Sequence, residues 1–178
     1  MSRPAAFIDR DGVINRAVIR DGRPYPPQSL DELEILPGVG EALARLAAAG
    51  WARVVVTNQP DIARGTQSAE TVAALHAALA ARLPLDEIRT CPHDDADACP
   101  CRKPKPGLLL QAPHYDVAAS VMIGDRWRDI EAGQRAGVRA TILVDSGHRE
   151  PCEVAPSARV ASLSEAVEWM LTHVRHDR

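Results

Sequence analysis

The chain has 178 residues, enough for one domain with a real core and too few for two ordinary ones. Apolar residues make up 46% and aromatics only 3%, so the core must be built from Ala, Val, Leu and Ile. A formal net charge of −3 gives no support for nucleic-acid or anionic-membrane binding, and no apolar run reaches the ~18 residues of a membrane span.

The opening "MSRPAAFIDRDG" lacks the charged start, apolar run and cleavage site of a signal peptide, so the expected location is the cytoplasm. "AAFID" (5–9) reads as a short buried strand that runs into "DRDG" (9–12). Asp9 and Asp11 stand two apart, which in extended backbone points both side chains the same way. Two such carboxylates can divide labour. One stays ionised as a nucleophile; its neighbour pushes the other toward protonation, to serve as general acid and then base. Gly12 permits the sharp turn this needs, though the same residues also read as a polar turn. The segment "RAVIRDGRPYPPQSL" (16–30) is expected to shape a pocket. Arg16, Arg20, Arg23 and Arg64 are candidate anion ligands there, or solvated surface charges.

"GVGEALARLAAAG" (38–50) predicts a helix, with Pro37 ahead of it and Gly50 as its stop. "WARVVVTN" (51–58) is a second strand. The "TNQ" at its end (57–59) offers a hydroxyl and two amides, which suit phosphate oxygens or a turn cap equally. Ser68 is placed to N-cap a helix with Val72, Leu75, Leu79 and Leu83 on one stripe. "DEIRTC" (86–91) is a weaker strand, "SVMIGD" (120–125) another, followed by a helix over 127–137 ending at Gly137. "RATILVD" (139–145) is a fifth strand, and 145–161 reads as a long loop. "SLSE" (162–165) is a capping-box pattern. After it, Leu163, Ala166, Val167, Met170, Leu171 and Val174 form an apolar face that suits core packing.

Strands alternating with helices predict an α/β fold: a Rossmann-like, doubly wound parallel sheet. Ligands in such folds sit beyond the carboxyl ends of the strands. At those ends stand Asp9 and Asp11, then Thr57, then Lys103 and Lys105 of "CRKPKPG" (101–107), then Asp125 of "IGDRWRD" (123–129). Asp129 either supports Asp125 or simply lies in a first helical turn. Acids, hydroxyl, lysine and acid in that order suit Mg²⁺-assisted phosphoryl transfer.

One loop stands apart. Cys91-x-His93-x5-Cys99-x-Cys101 offers three thiolates and an imidazole, a set that closes a tetrahedral Zn²⁺ site and leaves no position for substrate. A Cys99–Cys101 disulfide would be badly strained. Asp94, Asp95 and Asp97 read as solvated loop acids, and Cys152 as an ordinary thiol. His76, His114, His148, His173 and His176 read as surface or structural.

These residues resemble the haloacid dehalogenase (HAD) superfamily of phosphatases. "FIDRDGVIN" (7–15), "VVTNQ" (55–59), "CRKPKPG" (101–107) and "MIGDRWRDIEAG" (122–133) are similar to its motifs I to IV, covering about residues 5–145. The Cys-x-His and Cys-x-Cys pairs, with "LPGV" (36–39) and "ARG" (63–65), resemble the heptose-1,7-bisphosphate 7-phosphatase branch; the histidinol-phosphatase domains share the metal loop.

The resemblance implies a monomeric Mg²⁺- and Zn²⁺-dependent phosphatase, without a large cap domain, acting on a small phosphorylated sugar. It implies Asp9 as nucleophile and Asp11 as acid and base. Mg²⁺ would lie on the Asp9 and Asp125 carboxylates and the Asp11 carbonyl. Thr57 and Lys103 would hold the phosphoryl group, Asn58 and Gln59 would lie at the substrate, and Arg102 would recognise it. Two features depart from the family: Pro60 stands where a serine is frequent, and 108–121 is short, with Pro113 breaking its helix.

Overall fold

A computed structural model describes residues 2–111, 114–147, 150–151 and 153–174. The predictions for Pro113, His148, Cys152 and His176 lie outside the described residues.

Six strands form one sheet: β1 (Ala5–Ile8), β4 (Ala52–Asn58), β5 (Glu87–Cys91), β6 (Val121–Gly124), β7 (Ala140–Val144) and β8 (Ala158–Val160). Their order is β5-β4-β1-β6-β7-β8 and every pairing is parallel. The chain thus builds outward from β1 in one direction, then returns to its other side at β6. That reversal opens a crevice between the carboxyl ends of β1 and β6.

Alternation along β1 feeds two cores. Ala6 and Ile8 join Val55, Ile123 and Ile142 under three helices, α1 (Val39–Ala48), α2 (Ala69–Arg82) and α5 (Leu163–His173). Ala5 and Phe7 join Val54, Val56 and Met122 on the opposite face. There α3 (Gly107–Leu110) contributes Leu108 and Leu109, and α4 (Trp127–Ala136) contributes Ala132. A strand covered on both sides has no use for polar alternation, which is why β1 reads as an unbroken apolar run.

Helix ends follow the local chemistry. Ser68 caps α2 by accepting the Thr71 N–H at 3.0 Å. Gly137, in left-handed backbone at φ 78°, ends α4. At α5, Ser162 accepts from the Glu165 N–H, but the Glu165 carboxylate takes the Ala161 N–H and not that of Ser162. The "SLSE" pattern therefore closes as a simple cap.

Two elements differ from expectation. The loop 145–161 contains β8, a three-residue edge strand too short to show a period. The segment 16–30 contains a hairpin, β2 (Val18–Arg20) and β3 (Arg23–Tyr25), turning on Asp21 (φ 51°) and Gly22 (φ 71°). An Asp-Gly pair with both φ positive is the tight turn that suits strand twist. That dipeptide was the available signal. Among the described residues, no helix is long and apolar enough to cross a membrane.

Candidate active site

The carboxyl ends of β1, β4 and β6 open into a cavity of about 1010 Å³, lined by Asp9, Asp11, Thr57, Lys103, Asp125 and Asp129 among others. The Asp9 N–H donates to the Ile123 carbonyl at 2.9 Å, extending the β1–β6 ladder by one step and placing Asp9 beside Asp125. Directly after it the chain must turn. Gly12 does so at φ 86°, and a Cβ there would stand 2.3 Å from Asp125 Oδ2. The glycine serves both the turn and the close approach of motif I to motif IV.

Lys103 crosses from the segment after the metal loop into this cluster. Its Nζ donates to Asp9 Oδ1 at 2.8 Å and to the Val56 carbonyl at 2.7 Å, and it pairs with Asp129 Oδ1 at 2.6 Å. All three ammonium protons are engaged. Burial works against its charge, but Asp129 and Asp9 outweigh that and raise its pKa. Asp129 also accepts the Arg126 N–H at 3.0 Å through Oδ2, so it caps α4 and grips the lysine at once. Sequence reasoning left its role open; the signal was the Asp-x3-Asp spacing across a strand-to-helix turn.

Asp9, Asp125 and Asp129 place one carboxylate oxygen each within 4.8 Å of one another. Burial, opposed by Lys103 and reinforced by Asp129 and Asp11, pushes Asp9 up to about 6. Burial, then Asp9 and Asp129, push Asp125 well above the ordinary carboxylate range. Asp125 Oδ1 is buried without a hydrogen-bond partner. Three clustered carboxylates, two of them on one ammonium, with an orphaned oxygen among them, form a donor set that suits a hard divalent cation.

Asp11 is held quite differently. Arg10 grips it with two bonds, Nε to Oδ1 at 3.1 Å and Nη2 to Oδ2 at 3.0 Å. Asn15 donates to Oδ1 at 2.9 Å and Gln59 to Oδ2 at 3.0 Å. Burial alone would raise the Asp11 pKa; Arg10, Asn15 and Gln59 together hold it below the usual value. Asp9 is thus the carboxyl whose pKa is pushed up and Asp11 the one whose pKa is held down. The cause is the donor count around each group.

The motif II side chains are structural members of the site. Gln59 Nε2 bridges Asp11 and Thr57 Oγ1, the latter at 2.8 Å. Asn58 accepts the Lys103 N–H and donates to its carbonyl, each at 3.1 Å. Both amides, expected at the substrate, are engaged with protein groups while lining the cavity. Lys105, a candidate phosphate ligand, instead donates to the Cys99 carbonyl at 2.7 Å.

The metal loop brings Cys91 Sγ, His93 Nδ1, Cys99 Sγ and Cys101 Sγ together. The recorded separations run from 3.1 Å (Cys91–Cys101) to 3.6 Å (Cys91–Cys99 and Cys91–His93). Donors on a tetrahedron with Zn–S near 2.3 Å lie about 3.6–3.8 Å apart, so the set is shaped for zinc. The loop acids are not merely solvated. Asp94 takes both arms of Arg64 at 2.7 Å, and Asp95 takes Arg102 Nε at 2.7 Å. Arg64 first, then backbone, pull Asp94 down to about 2. Arg102 also reaches the carbonyl of His93, a candidate ligand, at 3.4 Å. Of the remaining candidate arginines, Arg16 pairs with Glu34 and Arg20 with Glu32.

A HAD-hydrolase-like family model matches residues 100–166. The chain is 37% identical over 185 aligned positions to the D-glycero-beta-D-manno-heptose-1,7-bisphosphate 7-phosphatase of Escherichia coli (strain K12), covering 96% of this chain and 89% of the relative. It is 40% identical to the protein of that name from Pseudomonas aeruginosa, covering 83% and 84%. Among solved structures, the D,D-heptose 1,7-bisphosphate phosphatase of B. bronchiseptica, complexed with magnesium and phosphate, superposes with a TM-score of 0.77. It has 33% identity, over 95% of this chain and 98% of that one.

Proposed function

The chain belongs to the family of HAD-type D-glycero-beta-D-manno-heptose-1,7-bisphosphate 7-phosphatases, and from that membership we propose the reaction its site performs. The protein is a phosphoric monoester hydrolase. Its substrate is the C7 phosphate of a heptose 1,7-bisphosphate, and the reaction runs through a phosphorylated Asp9. The observation that carries this reading is the cluster of Asp9, Asp125, Asp129 and Lys103 at the β1–β6 crevice.

Asp9, Asp125 and the Asp11 carbonyl would hold Mg²⁺, which when bound offsets charge on the transferring phosphoryl group. A carboxylate oxygen of Asp9 attacks phosphorus as the bond from phosphorus to the sugar oxygen breaks. Asp11 delivers a proton to that leaving oxygen. Water then attacks the acyl phosphate; Asp11 takes its proton, and inorganic phosphate and free Asp9 result. Lys103 and Thr57 steady the phosphoryl oxygens throughout. Asp11 must carry a proton for this step, and the dianionic phosphate arriving beside it raises its proton affinity.

Cys91, His93, Cys99 and Cys101 would hold Zn²⁺ as a closed clamp, with Arg102 and Lys103 directly after the last ligand. Zinc here does no chemistry; it fixes where those two cations stand.

A phosphate-release assay with Mg²⁺, across heptose bisphosphate, sugar monophosphates and histidinol phosphate, tests the reading. The bisphosphate is expected to give the highest kcat/KM, and Asp9→Asn to abolish turnover while leaving the fold intact. A large preference for histidinol phosphate, or full activity in Asp9→Asn, would overturn it.

A further inference from the structure

Helix α2 supplies no residue to the cavity, yet one of its side chains reaches the acid/base machinery from behind. Arg10 is fully buried between its two motif I aspartates. A guanidinium is a donor only, with five N–H groups to place. Nε and Nη2 go to Asp11. The remaining arm, Nη1, lies 3.0 Å from His76 Nε2. Because arginine cannot accept, His76 must do so through the Nε2 lone pair, with its ring proton on Nδ1. That atom faces Thr90 Oγ1 of β5 at 3.5 Å.

The result is a row running from the sheet to the site: Thr90, His76, Arg10, Asp11. Burial and the adjacent Arg10 charge push His76 down to about 4, so the ring is neutral and able to accept at ordinary pH. His76 follows Leu75 of the buried stripe of α2 and is itself only partly buried, a position where an apolar residue would also pack. An apolar residue there would leave Nη1 without this acceptor, and the planar fork would lose the contact that sets its rotation.

We propose that His76 is a positioning residue for the proton-transfer step: it fixes the plane of the Arg10 guanidinium, and through it the Asp11 carboxylate. The inference rests on the reading of Asp11 as the acid that protonates the leaving oxygen. A sugar alkoxide needs that proton. A p-nitrophenolate does not, because it leaves readily as an anion.

The experiment compares kcat/KM for heptose bisphosphate and for p-nitrophenyl phosphate in wild type, His76→Leu and His76→Gln. General acid catalysis contributes on the order of 10²–10⁴, so partial misplacement of Asp11 in His76→Leu should cost about tenfold or more on the sugar ester. On p-nitrophenyl phosphate the same variant should lose less than about threefold, because phosphoryl transfer there does not use the acid. His76→Gln keeps an acceptor oxygen and should retain most of the sugar-phosphate activity. Equal losses on both esters, or none on either, in an active wild-type background would overturn the role of His76 alone. A wild-type protein that hydrolyses neither ester would remove the phosphatase reading and this inference with it.

Discussion

Asn58 and Lys103 hold one another in both directions: the Asn58 amide donates to the Lys103 carbonyl and accepts the Lys103 N–H, each at 3.1 Å. The end of β4 is thereby fastened to the segment after the metal loop, which fixes the backbone from which the Lys103 side chain reaches Asp9. Asn58→Ala removes both bonds. The expected cost is about 1–2 kcal/mol of stability, read by urea denaturation. The larger effect should be on turnover: about 10- to 100-fold lower kcat as Lys103 loses its placement. Unchanged kinetics would show that the clamp is not what sets the lysine.

Gly12→Ala should be more damaging than its size suggests. The added methyl would stand 2.3 Å from Asp125 Oδ2, at a position whose φ is 86°. Left-handed backbone costs a non-glycine residue about 1–2 kcal/mol, and the methyl must also displace the Asp125 carboxylate. The expected outcome is a folded protein, by circular dichroism, with weaker Mg²⁺ dependence and kcat down by at least about 100-fold.

His76 also predicts a pH dependence of stability. Its folded pKa of about 4 lies below the 6.5 of an unperturbed imidazole. Between those values the unfolded chain binds a proton that the folded protein refuses. The His76 contribution is therefore intact above about 6.5 and declines as pH falls toward about 4. Urea midpoints measured from pH 7 to pH 4 should show wild type losing stability relative to His76→Gln as the pH is lowered. Parallel curves would show that His76 titrates normally in the folded state.

Stripping zinc should lower activity without removing Mg²⁺ binding. Cys101 is followed at once by Arg102 and Lys103, and Arg102 is tied to the His93 carbonyl, so loosening the four ligands frees both cations. The purified protein is expected to hold one zinc per chain by elemental analysis, and Cys99→Ser markedly less. Its phosphatase activity should fall while the Mg²⁺ concentration for half-maximal rate stays the same. A Cys99→Ser protein of full activity and wild-type thermal midpoint would break the link between the loop and Lys103.

The amino-acid sequence by itself determined five of the six strands of the central sheet, the edge strand β8 excepted, the caps of its principal helices and the candidate ligands of both candidate metal sites. Each of these is local: an apolar run, a Ser before a helix, or ligand types at a fixed spacing. Asp9, Thr57 and Asp125 were legible because a parallel sheet presents its strand ends to one crevice, whatever the loops between them do. What only the tertiary structure decided depends on distance in space. Asp129 and Asp9 share one lysine, Asp94 holds Arg64 from a distant segment, and the Asp11 pKa is lowered while that of Asp9 is raised. His76 read as structural because nothing in the spacing of a helix shows which buried charge lies against it. Local propensity writes the elements, but the proton affinity of a carboxylate follows from which donors and charges long-range packing brings within about 3–5 Å of it.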